Sequence, residues 1–142
     1  MKVLIHASLD LVERMLVAEK ILRQNGIMPF LPDTYRYQHI RDEYHDLETF
    51  NRIKNKLSLE NMRLVEKCDA LYVINEDHRN IKGYIGGNSF LEMCIAFYLS
   101  KPIFIAQEFS SELPYSEEVL SFQPTIIGSP EQLNINFLQW NQ

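Results

Sequence analysis

The segment that decides the fold is ALYVINEDHRNIKGYIGGNSFLE, residues 70–92. It opens with the most strand-like run of the chain, Ala70 to Ile74, which is typical of a central strand covered on both faces. A polar loop follows and ends in two adjacent glycines, Gly86 and Gly87, which let the backbone take positive φ or approach another group closely. An apolar helical pattern comes next and carries one carboxylate, Glu92. The segment is therefore predicted to be strand, loop, glycine turn and helix.

The helix of this segment is expected to run from Ser89, as its N-cap, to Ser100. Its free N–H groups would then point into the cleft beside the loop, which suits an anion or a polar sugar. Glu92 would lie one turn into the helix near the positive end of the dipole, so we expect its carboxylate to stay ionised. Ser89-x-x-Glu92 also fits a capping box, in which the glutamate only accepts from the Ser89 backbone N–H. The residues alone leave both interpretations open.

Strand-like and helix-like segments alternate along the rest of the chain. The further strands are predicted at Lys2 to His6, Ile27 to Leu31, Pro102 to Ala106 and Thr125 to Ile127. The further helices are predicted at Leu11 to Gln24, Asp46 to Lys67 with a break near Ser58, Tyr115 to Ser121, and Pro130 to Trp140. Pro29 cannot donate to a ladder, so its strand is expected at an edge. This alternation predicts one α/β domain over residues 1–142, with three layers, a flavodoxin-like or Rossmann-like architecture and a mainly parallel five-stranded sheet in the order 2-1-3-4-5.

In that strand order, ligands bind at the carboxyl ends of strands 1 and 3, where the order reverses. The loops at these two ends carry small, polar and glycine residues, which we predict to bind the ligand: His6, Ser8, Asp10, Asn75, Gly86, Gly87, Asn88 and Ser89. Structural roles are open for several of them. His6 can be a buried core histidine, and Ser8 and Asp10 can cap the first helix.

Composition limits the classes of partner. The chain has 142 residues, 46% of them hydrophobic and 23% charged, with a net charge of −5 and no Lys/Arg run. This balance argues against a nucleic acid or an anionic membrane surface and favours a small-molecule ligand. No apolar run is long enough to cross a bilayer, and the chain begins with a strand pattern, so a soluble cytoplasmic protein is expected. Cys68 and Cys94 are expected as free thiols, and the four histidines lack metal-ligand spacing, so neither a metal nor a cofactor is expected.

Two aromatic segments point to assembly or to ligand contact. Residues 32–45 form a polar and aromatic stretch of the kind found in binding loops, and its tyrosines, Tyr35, Tyr37 and Tyr44, can stack on a base or pack against another subunit. The expected C-terminal helix is apolar through Phe137, Leu138 and Trp140. We therefore predict a homodimer or a larger homo-oligomer.

The order of these features resembles the nucleoside 2-deoxyribosyltransferase family and its nucleoside 5′-monophosphate N-hydrolase relatives. The resemblance lies in a first strand that ends in small residues, an acidic or amide loop after the third strand, Gly87-Asn88-Ser89-x-x-Glu92, Ala96 and Lys101-Pro102. It covers the chain from Lys2 to about Ala106, and residues 113–124 resemble a tail of uncharacterised bacterial members.

The resemblance implies a mechanism and a quaternary arrangement. In characterised members the helix glutamate attacks the anomeric carbon and forms a glycosyl-enzyme intermediate, a role that falls on Glu92. Such members complete their sites across subunits. They also place a tyrosine beside the glutamate, whereas Ile5 and His6 occupy that neighbourhood in this chain.

The chemistry of N-glycosidic cleavage fits the same residues. The reaction needs an ionised carboxylate on one face of the sugar and a proton donor for the departing base. Asp77, together with Glu76 and with Asp10 behind them, is the candidate for assisting the base. Three hypotheses follow: a nucleoside deoxyribosyltransferase or nucleotide N-glycosidase, a non-catalytic module that binds a nucleotide or nucleoside derivative in the same crevice, and a scaffold whose aromatic loop serves assembly.

Overall fold

The computed structural model describes residues 1–32 and 46–134, and its strands form one parallel sheet in the order β2-β1-β3-β4-β5. The strands are β1 (Lys2–Ala7), β2 (Met28–Phe30), β3 (Ala70–Ile74), β4 (Ile103–Ile105) and β5 (Thr125–Ile126). Every neighbouring pair is parallel, so the predicted α/β sheet and its order are confirmed. The strand that contains Pro29 lies at an edge, as expected, because proline has no N–H to give to a second neighbour.

Helices cover both faces of the sheet. They are α1 (Val12–Gln24), α2 (Leu47–Lys67), α3 (Gly87–Tyr98) and α4 (Ser116–Ser121), with short 3-10 helices at Leu9–Leu11 and Pro130–Gln132. The expected break near Ser58 is wrong, because α2 continues through this residue. At the start of the helix, the Asp46 side chain is the cap and accepts from the backbone N–H groups of Glu48 and Thr49. The expected helix from Pro130 ends at Gln132, since Leu133 is extended. The remaining residues of that prediction, 135–140, lie outside the described part of the chain.

The two-residue period of the strands sorts their side chains between the two faces. Val3, Ile5 and Ala7 of β1 pack in one buried cluster with residues of α1. Leu4 belongs to the opposite cluster, together with Val65 of α2 and residues of α3 and α4. His6 shares the parity of Leu4, so the alternation directs it to the face that α2 and α3 cover. A polar side chain thus takes a core position at the carboxyl end of β1.

The C-terminus of α2 is held by a lysine that lies outside the helix. Lys101 Nζ donates to the backbone carbonyls of Val65 at 2.7 Å and Cys68 at 2.6 Å, and also to that of Glu66. These carbonyls lie at the end of the helix, where the regular i+4 donors run out, and that of Val65 accepts a further backbone bond, from Cys68 N at 3.3 Å. They form the negative end of the helix dipole. Lys101 therefore fixes α2 beside the turn that leads into β4.

Candidate active site

Helix α3 begins three residues earlier than its sequence indicates. Its N-cap is Gly86 and its first residue is Gly87, so Ser89 is the third residue and Glu92 the sixth. The predicted N-cap role of Ser89 is wrong, and so is the capping box, because the Ser89 hydroxyl is turned to His6. Glu92 consequently lies in the second turn, where the stabilising effect of the helix N-terminus has largely decayed.

His6, Ser89 and Glu92 form a buried polar cluster between β1 and α3. The residues are only 3%, 2% and 2% exposed. The His6 imidazole lies between the other two side chains, with Nδ1 2.7 Å from Ser89 Oγ and Nε2 3.2 Å from Glu92 Oε2. The second contact is not an aligned hydrogen bond, so Glu92 Oε2 is a buried carboxyl oxygen without a hydrogen-bond partner. A buried polar atom of this kind costs stability, and such atoms are concentrated at functional sites.

Burial, more than any neighbour, sets the charges of this cluster. It lowers the pKa of His6 to about 4, with the Lys54 ammonium adding to the effect. It raises the pKa of Glu92 to about 8, against the opposing influence of Lys54. At neutral pH the pair is therefore a neutral imidazole beside a protonated carboxyl group and not an ion pair. The expectation that Glu92 stays ionised is wrong for the ligand-free site, because loss of hydration outweighs the field of the helix.

Lys54 is a site residue that the sequence analysis missed. Its ammonium donates to Asn88 Oδ1 at 2.9 Å and so links α2 to the first turn of α3. The signal was present in the sequence. Lys54 lies one helical turn before the buried Leu57, where the core-facing stripe of α2 would carry an apolar residue. A charged residue in such a stripe indicates a polar partner in the fold, and the partner of Lys54 is Asn88 on α3.

A cleft lies at the carboxyl ends of β1 and β3. It is lined by residues from both loops: Ser8, Asp10, Leu11, Glu76, Asp77, His78 and Tyr84. The carboxylate of Glu76 is already paired with Arg14 at 2.9 Å. The lining therefore includes the predicted residues Ser8, Asp10 and Asp77, and it does not include Glu92.

Asn75 supports the loops around the cleft. Its amide nitrogen donates to the carbonyls of Gly83 and Gln107, at 3.2 and 2.8 Å. Its amide oxygen accepts from the backbone N–H groups of Ala106 and Gln107, at 2.9 and 3.1 Å. All four hydrogen-bonding positions of the amide are used. The Asn75 amide therefore has a structural role in these loops, and its predicted ligand contact stays a prediction.

Asp77 combines a structural role with a place in the cleft. Its Oδ1 accepts from Gly83 N at 2.9 Å and from Gln107 Nε2 at 2.8 Å. Gly83 has φ +62°, and a Cβ there would lie 2.1 Å from the Glu108 carbonyl oxygen, so only glycine fits this close approach. The glycine-rich loop is thus held in place through Gly83, by its hydrogen bond to Asp77 and its close approach to the Glu108 carbonyl, while Asp77 still borders the cleft.

The predicted site residues fall into three groups by location. His6, Ser89 and Glu92 are buried together, and Ser8, Asp10 and Asp77 line the cleft. Gly86, Gly87 and Asn88 form the N-cap and the first two residues of α3. Among the described residues no group of histidine, cysteine and carboxylate side chains could hold a metal ion. Within residues 1–32 and 46–134, no helix is long and apolar enough to cross a bilayer.

Comparisons with known proteins bear on the fold. No protein-family model and no curated protein sequence matches the chain. A structure search finds a 2-deoxyribosyltransferase from the psychrotolerant bacterium Bacillus psychrosaccharolyticus, with 14% identity, a TM-score of 0.57, and coverage of 97% of this chain and 96% of that one. That enzyme is described as a biocatalyst for the synthesis of antiviral and antitumoral nucleosides. The chain therefore has the fold of a 2-deoxyribosyltransferase.

Proposed function

We propose that this protein cleaves or transfers the N-glycosidic bond of a nucleoside or nucleoside 5′-monophosphate, with Glu92 as the nucleophile. The observation that carries the proposal is the Glu92 carboxyl group, which is buried at the carboxyl end of β1 with one oxygen left without a hydrogen-bond partner. Burial of this group costs hydration that its neighbours offset only in part, since its pKa rises to about 8 despite them. Its location at the switch point of the sheet is where α/β folds of this order bind ligands.

The reaction requires the carboxyl group of Glu92 to lose its proton first. The resulting carboxylate attacks the anomeric carbon, a C–O bond forms, and the electron pair of the N-glycosidic bond leaves with the base. The departing base gains a proton from solvent, a step that Asp77 at the cleft is the candidate to assist. Water or a second base then displaces the glutamate from the sugar and releases a proton to solvent, which gives hydrolysis or transfer and restores the carboxylate.

His6 takes the neighbouring place that the resemblance assigns to a tyrosine. Its Nε2 lies 3.2 Å from Glu92 Oε2, and its Nδ1 contacts Ser89. Since burial lowers the pKa of His6 to about 4, the imidazole is neutral throughout the pH range in which Glu92 ionises. We assign it the role of orienting the carboxylate, with Ser89 fixing the plane of the ring.

The pH dependence of the rate tests the assignment of Glu92. A nucleophile must be ionised, and burial raises the pKa of this group to about 8. We therefore expect kcat/KM for base release to increase with pH and to level off above about 8, since kcat/KM reports ionisations of the free enzyme. A rate that falls through the same range would instead make Glu92 a proton donor.

The decisive experiment is a chromatographic screen of nucleosides and nucleoside 5′-monophosphates for released base, with and without an added acceptor base. Glu92→Gln cannot form the glycosyl ester, so base release should fall by about 10³-fold or more while ligand binding persists. Glu66→Gln, at an exposed position of α2, is the matched control and should keep the wild-type rate.

Two results would contradict the proposal. Retention of most of the activity in Glu92→Gln would make this residue structural. Tight binding of a nucleotide by the wild type without any base release would favour the non-catalytic binding module.

The proposal includes assembly into a homodimer or a larger homo-oligomer. The aromatic residues behind that prediction, in segments 33–45 and 135–142, lie outside the described residues. Within the described part of the chain, α3 exposes several large apolar side chains to solvent: Leu91, Phe97 and Tyr98. Light scattering at micromolar concentration should return at least twice the 16.7 kDa chain mass, and a monomer mass would refute this part.

A further inference from the structure

We propose that Lys54 is a positioning residue that stabilises the ionised carboxylate of Glu92, an assignment that rests on the function proposed above. Lys54 belongs to α2, a helix that supplies no residue to the mechanism as described so far. The observation behind the proposal is the placement of its ammonium over the first turn of the helix that carries Glu92.

The geometry connects three residues on two helices. Lys54 Nζ lies 2.9 Å from the side-chain oxygen of Asn88. Asn88 precedes Glu92 by four residues in α3, and residues with this spacing share one face of a helix. The Asn88 amide therefore holds the lysine on the face of α3 that Glu92 occupies.

The other groups around Glu92 provide little competing charge. From β1 the neighbour is His6, which is neutral above about pH 4. The residues that β3 and β4 present to this side are apolar, including Leu71, Val73 and Ile105. At the N-cap of α4, the aromatic ring of Tyr115 stacks on Phe90, and its hydroxyl donates to the Ile85 carbonyl. Among the described residues packed against α3, Lys54 is thus the positive charge positioned to act on this carboxyl group.

The effect of Lys54 on the pKa of His6 and on that of Glu92 has the direction that the reaction needs. Burial dominates the pKa of each, lowering that of His6 and raising that of Glu92. The Lys54 ammonium lowers both. It therefore favours a neutral imidazole together with an ionised carboxylate, the pair of protonation states in which Glu92 is a nucleophile. Without Lys54, burial would keep the proton on Glu92 to a higher pH.

The test compares Lys54→Met, which keeps an apolar stem without the charge, with Lys54→Arg, which keeps the charge. Lys56→Met is the matched control, because Lys56 is exposed on the same helix. The first readout is the titration of the Glu92 carboxyl carbon by NMR, assigned by its absence in Glu92→Gln. Lys54→Met should move the midpoint to higher pH by about one unit, which is a tenfold change in the ionised fraction at pH 7. Lys54→Arg should keep the midpoint close to its wild-type value, and Lys56→Met should leave the midpoint unchanged.

The second readout is kcat/KM for base release against pH. Lys54→Met should lose about tenfold at pH 7 and recover the wild-type value above its new midpoint, a recovery that a folding defect would not produce. An unmoved Glu92 midpoint in Lys54→Met, or an equal movement in Lys56→Met, overturns the inference. If the midpoint moves as expected but the wild type releases no base at any pH, the coupling of Lys54 to Glu92 stands and the proposed function fails.

Discussion

Replacing Glu92 by glutamine should make the protein more stable at alkaline pH, and the gain should grow with pH. Burial raises the folded-state pKa of Glu92 from 4.5 to about 8. A group with a raised pKa contributes stability that is fully present below its unfolded pKa and is lost as pH rises through the folded one. Wild type therefore loses free energy of unfolding as pH rises from 4.5 to 8. The Glu92→Gln variant does not share this loss, because glutamine cannot ionise.

The size of the effect follows from the difference between the two pKa values. At about 1.4 kcal/mol per pH unit, it is on the order of 3–5 kcal/mol, a large share of the roughly 5–15 kcal/mol that stabilises a domain. For a chain of this length, that corresponds to a difference in Tm on the order of 10 °C. We expect the Tm of Glu92→Gln to be within a few degrees of wild type at pH 5 and to exceed it by about this amount at pH 9.

The assay is thermal unfolding followed by circular dichroism at intervals from pH 5 to pH 9. The difference between variant and wild type at each pH cancels the titration of all other groups in the unfolded chain, and the folded-state pKa of His6, about 4, lies below this range. Glu66→Gln is the control, because water solvates that side chain in the folded protein, so no growing gap is expected. A gap between Glu92→Gln and wild type that stays constant from pH 5 to pH 9 would refute the reasoning from burial.

Three further substitutions test the site and its supports. Wild type should lose up to about 3 kcal/mol of stability as pH falls from 6.5 to about 4, because the unfolded chain binds a proton at His6 in that window and the buried imidazole does not. His6→Gln should abolish this loss, which urea unfolding at pH 7 and pH 4.5 measures. Gly83→Ala should lower Tm by about 10 °C or more, since its φ of +62° and the Glu108 carbonyl leave no space for a Cβ, and near-wild-type stability would contradict the clamped loop. Lys101→Met should cost about 1.5–3 kcal/mol by removing the cap from α2, whereas Lys67→Met, exposed in the last turn of the same helix, should cost far less in the same urea titration.

Local patterns in the sequence were sufficient to predict the architecture. The alternation of strand-like and helical segments, the fully apolar run at Ala70–Ile74 and the proline in β2 led to the observed strand order and to the edge position of that strand. Element boundaries were less accurate. Helix α3 starts at Gly87 because its N-terminal serine is engaged by a strand residue 83 positions away, which no local pattern reveals.

The candidate site was predicted as a list of residues but not as an arrangement. The switch-point rule pointed to the ends of β1 and β3, where the cleft lies, since it depends only on strand order. It could not separate Asn75, whose amide is used up within the loops, from the residues that border the cleft. Nor could it find Lys54, which reaches α3 from a helix 34 positions earlier in the chain.

The sequence by itself determined which elements form, in what order the strands pair, and that a glutamate follows the glycine turn, because these depend on hydrophobic periodicity and backbone freedom over a few residues. Only the tertiary structure decided the state of that glutamate. Its protonation depends on how far packing removes it from water, and its neighbours His6 and Lys54 come from β1 and α2. Hydration and Coulomb energies are set by distances in space, so a carboxyl group that sequence alone predicts to be ionised is protonated at neutral pH in the folded protein.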